Sequence, residues 1–207
     1  MRQQDWEDRY SQPDRVWTGK VNHWLQELVG ELPPGTALDL GCGEGGDAVW
    51  LAARGWAVTA VDFAAAALER GAAAAAAAGV GDRVQWQRAD LAHWRSAQRF
   101  DLVTMHFLHT ADRDVRGAAL RNAWAATGGR LLVVAHDPVN ATAGTAGGPP
   151  DPAVLYSAAD VLEVLGLAAD DPQVVLAETR ERESAAGLWI DAVVLLQRRS
   201  ASPRPGG

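Results

Sequence analysis

The chain is expected to fold as an α/β domain, doubly wound around a seven-stranded, mostly parallel sheet that ends in an antiparallel hairpin. Three observations predict this. Short apolar runs alternate with helical patterns five times before residue 139, the pattern of parallel strands joined by crossover helices. The first run opens into a glycine turn, GCGEGG (41–46). The last two runs, QVVLAETRER and LWIDAVVLLQRR, are separated only by ESAAG, too short for a helical crossover.

In chain order, WEDRY and KVNHWLQELVGEL read as short helices, the second with Trp24, Leu25, Leu28 and Val29 on one face. TALDL is a buried strand, 47–54 a helix stopped by Gly55, and AVTAVD (57–62) the second strand. FAAAALERGAAAAAAAG is a thin crossover helix, since alanine is the best helix former, and Gly79 stops it. RVQWQRADL (83–91), FDLVTMHFLH (100–109) and RLLVVAHDP (130–138) follow as strands, the last two joined by the helical DVRGAALRNAWAAT. Residues 139–152 are a Gly/Pro/Thr-rich loop, either a lid or a disordered connection, and SAADVLEVLG is a short helix. A single domain over 1–199 is expected, with 1–30 as a helical lid and 200–207 as a disordered tail.

Composition narrows the function. The net charge of −7 argues against a nucleic-acid partner, whose binding rests on neutralising phosphates. No apolar run is long enough to span a membrane. The polar, acidic N-terminus lacks the apolar core of a signal peptide, and a lone cysteine, Cys42, suits a reducing cytoplasm.

The glycine turn fits two cofactors. Gly41, Gly43 and Gly46 have dinucleotide spacing, whereas Gly41, Gly43 and Gly45 have the spacing of an S-adenosylmethionine (SAM) site. Asp62 can hold a ribose in either. Asp39, two residues before Gly41, would repel a pyrophosphate and attract the methionine ammonium, or else tie down the loop. RADL (88–91) places Asp90 where it can accept from an adenine amino group, with the Leu91 N–H on a ring nitrogen; a helix cap is the other reading of Asp90. The Tyr-x-x-x-Lys motif of a one-domain nicotinamide reductase cannot be built, because Lys20 is the only lysine and aspartate stands four residues after each tyrosine. These features point to SAM.

LDLGCGEGGDAVWLAARGWAVTAVDF, RADL and FDLV together resemble class I SAM-dependent methyltransferases, with their Rossmann-like sheet. VWTGKVNHWL, with Trp17, Gly19 and Lys20, resembles the tellurite-resistance and thiopurine methyltransferase group within it. The resemblance covers about residues 6–138. It implies that Asp39, Gly41, Gly43 and Gly45 surround the methionine end, Asp62 takes the ribose hydroxyls and Phe63 lies against adenine. It also implies that Asp90 and Leu91 read the adenine edge and that Trp17 sits near the cofactor from the lid.

Methyl transfer needs alignment and exclusion of water more than a strong acid. Trp6, Tyr10 and Trp17 can face a sulfonium or simply pack the N-terminal helices. His106, His109 and His136 are expected at the carboxyl ends of central strands, where substrates bind in this architecture. His109 is a candidate general base and His106 a candidate lining of the cofactor or acceptor pocket; a backbone-bonding role is the alternative for each. No metal is expected. The DNA-methylating Asn/Asp-Pro-Pro run, the Pro-Cys nucleophile and the acidic pair of arginine methylation are missing, leaving a small-molecule acceptor at sulfur, selenium, tellurium or nitrogen. A monomer or homodimer is expected. Oxygen or nitrogen methylation of a specialised metabolite, a non-catalytic SAM-binding sensor and a nicotinamide oxidoreductase are the alternatives.

Overall fold

The computed structural model describes residues 3–10, 12, 16, 18–146, 149, 151–167 and 173–199. The tail expected over 200–207 lies outside the described residues. Two helices come first, α1 (Gln3–Tyr10) and α2 (His23–Val29). Then follow β1 (Thr36–Leu40), α3 (Gly46–Ala53), β2 (Ala57–Asp62), α4 (Ala65–Ala77) and β3 (Val84–Arg88). The second half holds β4 (Phe100–His106), α5 (Arg113–Ala126), β5 (Thr127–His136), α6 (Asn140–Ala143), α7 (Ala158–Leu165), β6 (Gln173–Ser184) and β7 (Gly187–Gln197). No helix among the described residues is long and apolar enough to cross a membrane.

The seven strands lie in the order β3-β2-β1-β4-β5-β7-β6. The first five are parallel, and β7 runs antiparallel between β5 and β6. The order reverses between β1 and β4, which opens a crevice at their carboxyl ends. Local chemistry sets the helix starts. Asn22, Asp112 and Ser157 cap α2, α5 and α7 by accepting first-turn N–H groups, Ser157 in a reciprocal box with Asp160.

Side chains alternate across a strand, so each face has its own core. Leu38, Leu40, Val103, Met105, Leu131, Val133, Val194 and Leu196 pack beneath α5 and α7. Ala37, Val58, Ala60, Leu102, Leu132, Val134, Val193 and Leu195 pack beneath Trp24 and Leu25 of α2 and Leu51 of α3. By the same alternation, the second face carries Asp62, Asp39, Thr104, His106, His136 and Asp191 at the crevice end. One polar band thus crosses five strands.

The β6–β7 hairpin is tighter than expected, with Ala185 and Ala186 alone between its strands, and three parallel strands start or stop elsewhere than expected. β3 stops at Arg88, because Asp90 begins a turn by accepting the Ala92 N–H at 2.9 Å. β4 stops at His106, because Phe107 turns into the left-handed region at φ 49°, the one non-glycine residue so placed among those described. β5 begins at Thr127, straight out of α5. Gly128 and Gly129 belong to this strand; a Cβ on Gly129 would lie 2.2 Å from the Asp101 carbonyl oxygen. Only glycine lets the two strands approach at the irregularity between Phe100 and Leu102. The described part of the 139–152 loop is also fastened. The Asn140 side chain accepts the Ile190 N–H at 2.9 Å, and the Thr145 and Ala146 N–H groups reach the Leu188 carbonyl.

The alanine-rich α4 lets the Trp86 ring of β3 slide under it. A Cβ on Gly71 would lie 2.5 Å from that ring, and one on Gly45 2.4 Å.

Candidate functional site

The crevice has two halves. In the first, β1 ends at Leu40, and the Gly41 and Cys42 N–H groups both donate to the Val61 carbonyl, at 2.8 and 3.1 Å, folding the loop over β2. Gly41, Gly43 and Gly45 all have positive φ (77°, 51° and 76°), which glycine adopts without strain. Gly45 is also required by Trp86. Gly46 is required by something else, since a Cβ there would lie 3.0 Å from the Lys20 carbonyl oxygen. The two glycines that made the spacing ambiguous therefore serve different neighbours.

Asp62, at the end of β2, pins this loop. One carboxylate oxygen accepts the Gly43 N–H at 2.9 Å and the other the Ala64 N–H at 2.9 Å. Burial pushes its carboxyl above the ordinary range, and these donors partly offset that. Asp39 is 2% exposed. Its Oδ1 accepts from the Thr104 hydroxyl at 2.9 Å, and its buried Oδ2 meets no donor among the described residues. Burial, followed by the nearby Asp47 charge, pushes the Asp39 carboxyl up to about 7, while His106 and Thr104 pull it back.

Asp47, in the first turn of α3, accepts the Asn22 N–H at 2.6 Å and holds the His106 Nδ1 at 2.7 Å. Glu44 in the glycine loop pairs with Arg70 of α4 at 2.7 Å and accepts the Val16 N–H at 3.3 Å. Arg70 also donates to the Gln12 carbonyl. The N-terminal segment is thus tied at three points, to the loop at Glu44, to α3 at Asp47 and to α4 at Arg70. Trp17 lies outside the described residues. Phe63 and Trp6 are half-buried against Tyr10, Ala64 and Ala67, and Tyr10 stacks on Trp6 at 5.8 Å. Tyr10 therefore packs over the start of α4. Asp90 is half-exposed with its carboxylate 3.0 Å from His93 Nδ1, and Leu91 is buried with its carbonyl accepting from Asn122 at 2.7 Å.

The second half is aromatic. Trp6, His109, His136 and Trp189 form a continuous stack, with ring centroids 6.3, 5.4 and 4.7 Å apart in turn. Phe107 packs on His136 at 4.5 Å. Beneath the stack, the His136 Nδ1 lies 3.1 Å from Asp191, whose other oxygen accepts from Trp24 Nε1 and Arg182 Nε, both at 2.9 Å. Asp191 is fully buried, yet its carboxyl stays below the ordinary range: burial opposes this, and the His136, Trp24 and Arg182 contacts outweigh it. His109 is pushed down to about 4, mainly by burial and then by the charges of His136 and Arg9.

The structure brings Asp39, Asp62, His106 and the glycines together, and places His109 with His136 one strand further along. Sequence reasoning did not single out Glu44, Trp189 or Asp191 as site residues. Asp191 left a trace, a lone acid inside the apolar run LWIDAVVLL.

Residues 37–128 match a family model described as a methyltransferase domain. The match spans just under half of the chain and takes in β1 to the start of β5. Solved structures similar to this chain share its fold. One is the N-methyltransferase NodS from Bradyrhizobium japonicum WM9 with bound S-adenosyl-L-homocysteine (SAH), at 16% identity and TM-score 0.71, covering 95% of this chain and 98% of that one. A second comes from work on the conversion of a disulfide bond into a thioacetal group during echinomycin biosynthesis, at 21% identity and TM-score 0.71, covering 94% and 91%. A third is TehB from Haemophilus influenzae, at 16% identity and TM-score 0.69, covering 86% of this chain and 63% of that one. No curated protein matches by sequence.

A methyltransferase domain implies SAM as the methyl donor and an enzyme as the function class. The residues fit that donor. A buried carboxylate oxygen that meets no hydrogen-bond donor among the described residues, on Asp39, suits a cationic ammonium and opposes a pyrophosphate.

Proposed function

We propose that the chain transfers a methyl group from SAM to a heteroatom of a small molecule in the cytoplasm, as a single domain over 1–199 with 1–30 as its lid, acting as a monomer or homodimer. The observation carrying this reading is the polar band on one sheet face, which sets the Asp39–Asp62 crevice beside an aromatic, histidine-bearing wall. When bound, SAM supplies an electrophilic methyl group on a sulfonium. Asp39 meets the methionine ammonium, with Gly41, Gly43 and Gly45 giving close backbone approach. Asp62 takes the ribose hydroxyls while still holding the Gly43 N–H. Phe63, Asp90 and Leu91 receive adenine; Trp17, Trp6 and Tyr10 cover the crevice from the lid.

His106 stands between Asp39 and Asp47 at the methionine end, and His109 lines the acceptor side. Similar folds include an N-methyltransferase and a magnesium protoporphyrin IX methyltransferase, which agrees with a small acceptor. Sulfur, selenium, tellurium and nitrogen are acceptors that need no strong base. Oxygen is the second reading, favoured by the His136–Asp191 pair. The test is transfer from labelled SAM to a panel of thiols, selenide, tellurite, amines and phenols. Label in at least one small product is expected; SAM binding without any transfer would make the chain a sensor.

A further inference from the structure

We infer that His136, oriented by Asp191, is the base that takes the proton from a hydroxyl-bearing acceptor lying against the Trp6–Phe107–His109–Trp189 wall. This rests on the methyltransferase reading and commits it to oxygen.

Three histidines compete for the role, and their surroundings differ. His106 is bound through Nδ1 to Asp47, and its Nε2 is sealed from solvent among acidic groups at the donor end. His109 is a weak base at about 4. His136 has a fully buried carboxylate on Nδ1 and no hydrogen bond on Nε2 among the described residues, and it keeps 8% exposure. Its ring is clamped between Phe107 at 4.5 Å and Trp189 at 4.7 Å, so Nε2 is held in one direction. Donation of Nδ1–H to Asp191 leaves the Nε2 lone pair as the proton acceptor.

The charged and titratable groups around His136 are Asp191 and Arg182 from the β6–β7 hairpin and His109 from the loop after β4. Asp137, next along the chain, is engaged with the Thr179 hydroxyl and the Val139 N–H. Arg182 and Trp24 complete Asp191's bonding, so the carboxylate is fixed before any acceptor arrives. A built base matters most to a hydroxyl. At pH 7 a thiol with pKa about 8.5 is already a few per cent ionised, whereas a phenol with pKa about 10 is ionised to roughly one part in a thousand.

The step balances. The acceptor O–H bond breaks and its proton passes to His136 Nε2. The oxygen lone pair forms the bond to the methyl carbon, and the electron pair of the broken carbon–sulfur bond stays on sulfur. Asp191 stabilises the imidazolium until its proton leaves to water.

Two measurements test this. Imidazole 15N spectra of the SAH-bound wild-type protein should show His136, assigned by its loss in His136→Gln, with its proton on Nδ1; a proton on Nε2 overturns the proposal. In the second, labelled SAM is offered to catechol, phenol, thiophenol and aniline. Transfer to a phenol oxygen is expected, with kcat falling about 100-fold in His136→Gln while SAM affinity by calorimetry stays within about twofold. Asp191→Asn should lower kcat less and displace its pH profile, as a positioning residue would. Methylation confined to thiophenol or aniline, or phenol transfer unchanged in His136→Gln, overturns the base assignment while leaving the methyltransferase reading intact. Absence of SAM binding to the wild-type protein overturns both.

Discussion

The two halves of the crevice are assembled by different means. The proposed donor half centres on one continuous stretch, Asp39 to Asp62, joined by Thr104 and His106 of β4, and the contacts of its loop run largely through backbone N–H groups and glycine conformations. The proposed acceptor half is drawn from Trp6, Phe107, His109, His136, Trp189 and Asp191, and its contacts are ring stacks and one buried carboxylate. A backbone-built site depends on a few anchors, whereas a stacked wall spreads its energy over many contacts. Single substitutions should therefore act sharply on the first half and selectively on the second.

The largest effect is expected at Asp62. Asp62→Ala removes the acceptor for two backbone N–H groups and, on the proposed reading, the ribose contacts. Charged hydrogen bonds of about 1.5–3 kcal/mol each imply at least a 100-fold loss of SAM affinity in calorimetry. An affinity near wild type would show that the donor half does not depend on this anchor.

Gly71→Ala comes next. Its new Cβ would meet the Trp86 ring at 2.5 Å, and overpacking of this kind costs about 1–3 kcal/mol. Urea unfolding measures it, and a Trp86→Leu background should recover most of the loss.

Asp39→Asn should weaken SAM binding about tenfold, near 1.4 kcal/mol, and alter two pH dependences of opposite sign. Between 3.8 and about 7 the folded protein keeps the Asp39 proton while the unfolded chain releases it. The unfolded state then binds fewer protons, so this carboxyl's contribution to stability falls as pH rises through that window and levels off above it. SAM affinity should instead rise through pH 7 as the carboxylate forms. Denaturant midpoints and calorimetry at pH 5 and 8 check both, and the Asn variant should flatten each.

The smallest effect on the donor half is expected from Trp189→Ala. It opens the acceptor wall far from the glycine loop, and distant sites act independently. SAM affinity should stay within about twofold while the apparent KM for a phenolic acceptor rises. A large loss of SAM affinity would join the two halves into one unit.

This contrast also explains what was legible beforehand. The doubly wound sheet, its closing hairpin and the meeting of Asp39, the glycine loop and Asp62 could be read because strand alternation, glycine spacing and strand-end acids are local patterns. Phe107's left-handed turn carries no breaker in MHFLH, so β4 was expected to run to His109. Gly128 and Gly129 fall outside the strand expected from 130, since glycine marks turns more often than strand irregularities. The pairing of His136 with Asp191 depends on the register of β5 against β7, which no local pattern specifies. The same holds for the stack from Trp6 to Trp189.

The place of β7 in the sheet has a consequence for biosynthesis. It is the last of the described strands in chain order, yet it inserts between β5 and β6 rather than adding at the rim. A growing chain that has reached His136 can already form five parallel strands and the donor crevice. It does so with one flank of β5, rich in leucine and valine, open as an unpaired edge. The interval before Gly187–Gln197 emerges is thus when the nascent domain most exposes itself to aggregation. The same strand that ends this exposure delivers Asp191, so burial of the edge and completion of the acceptor half are one event.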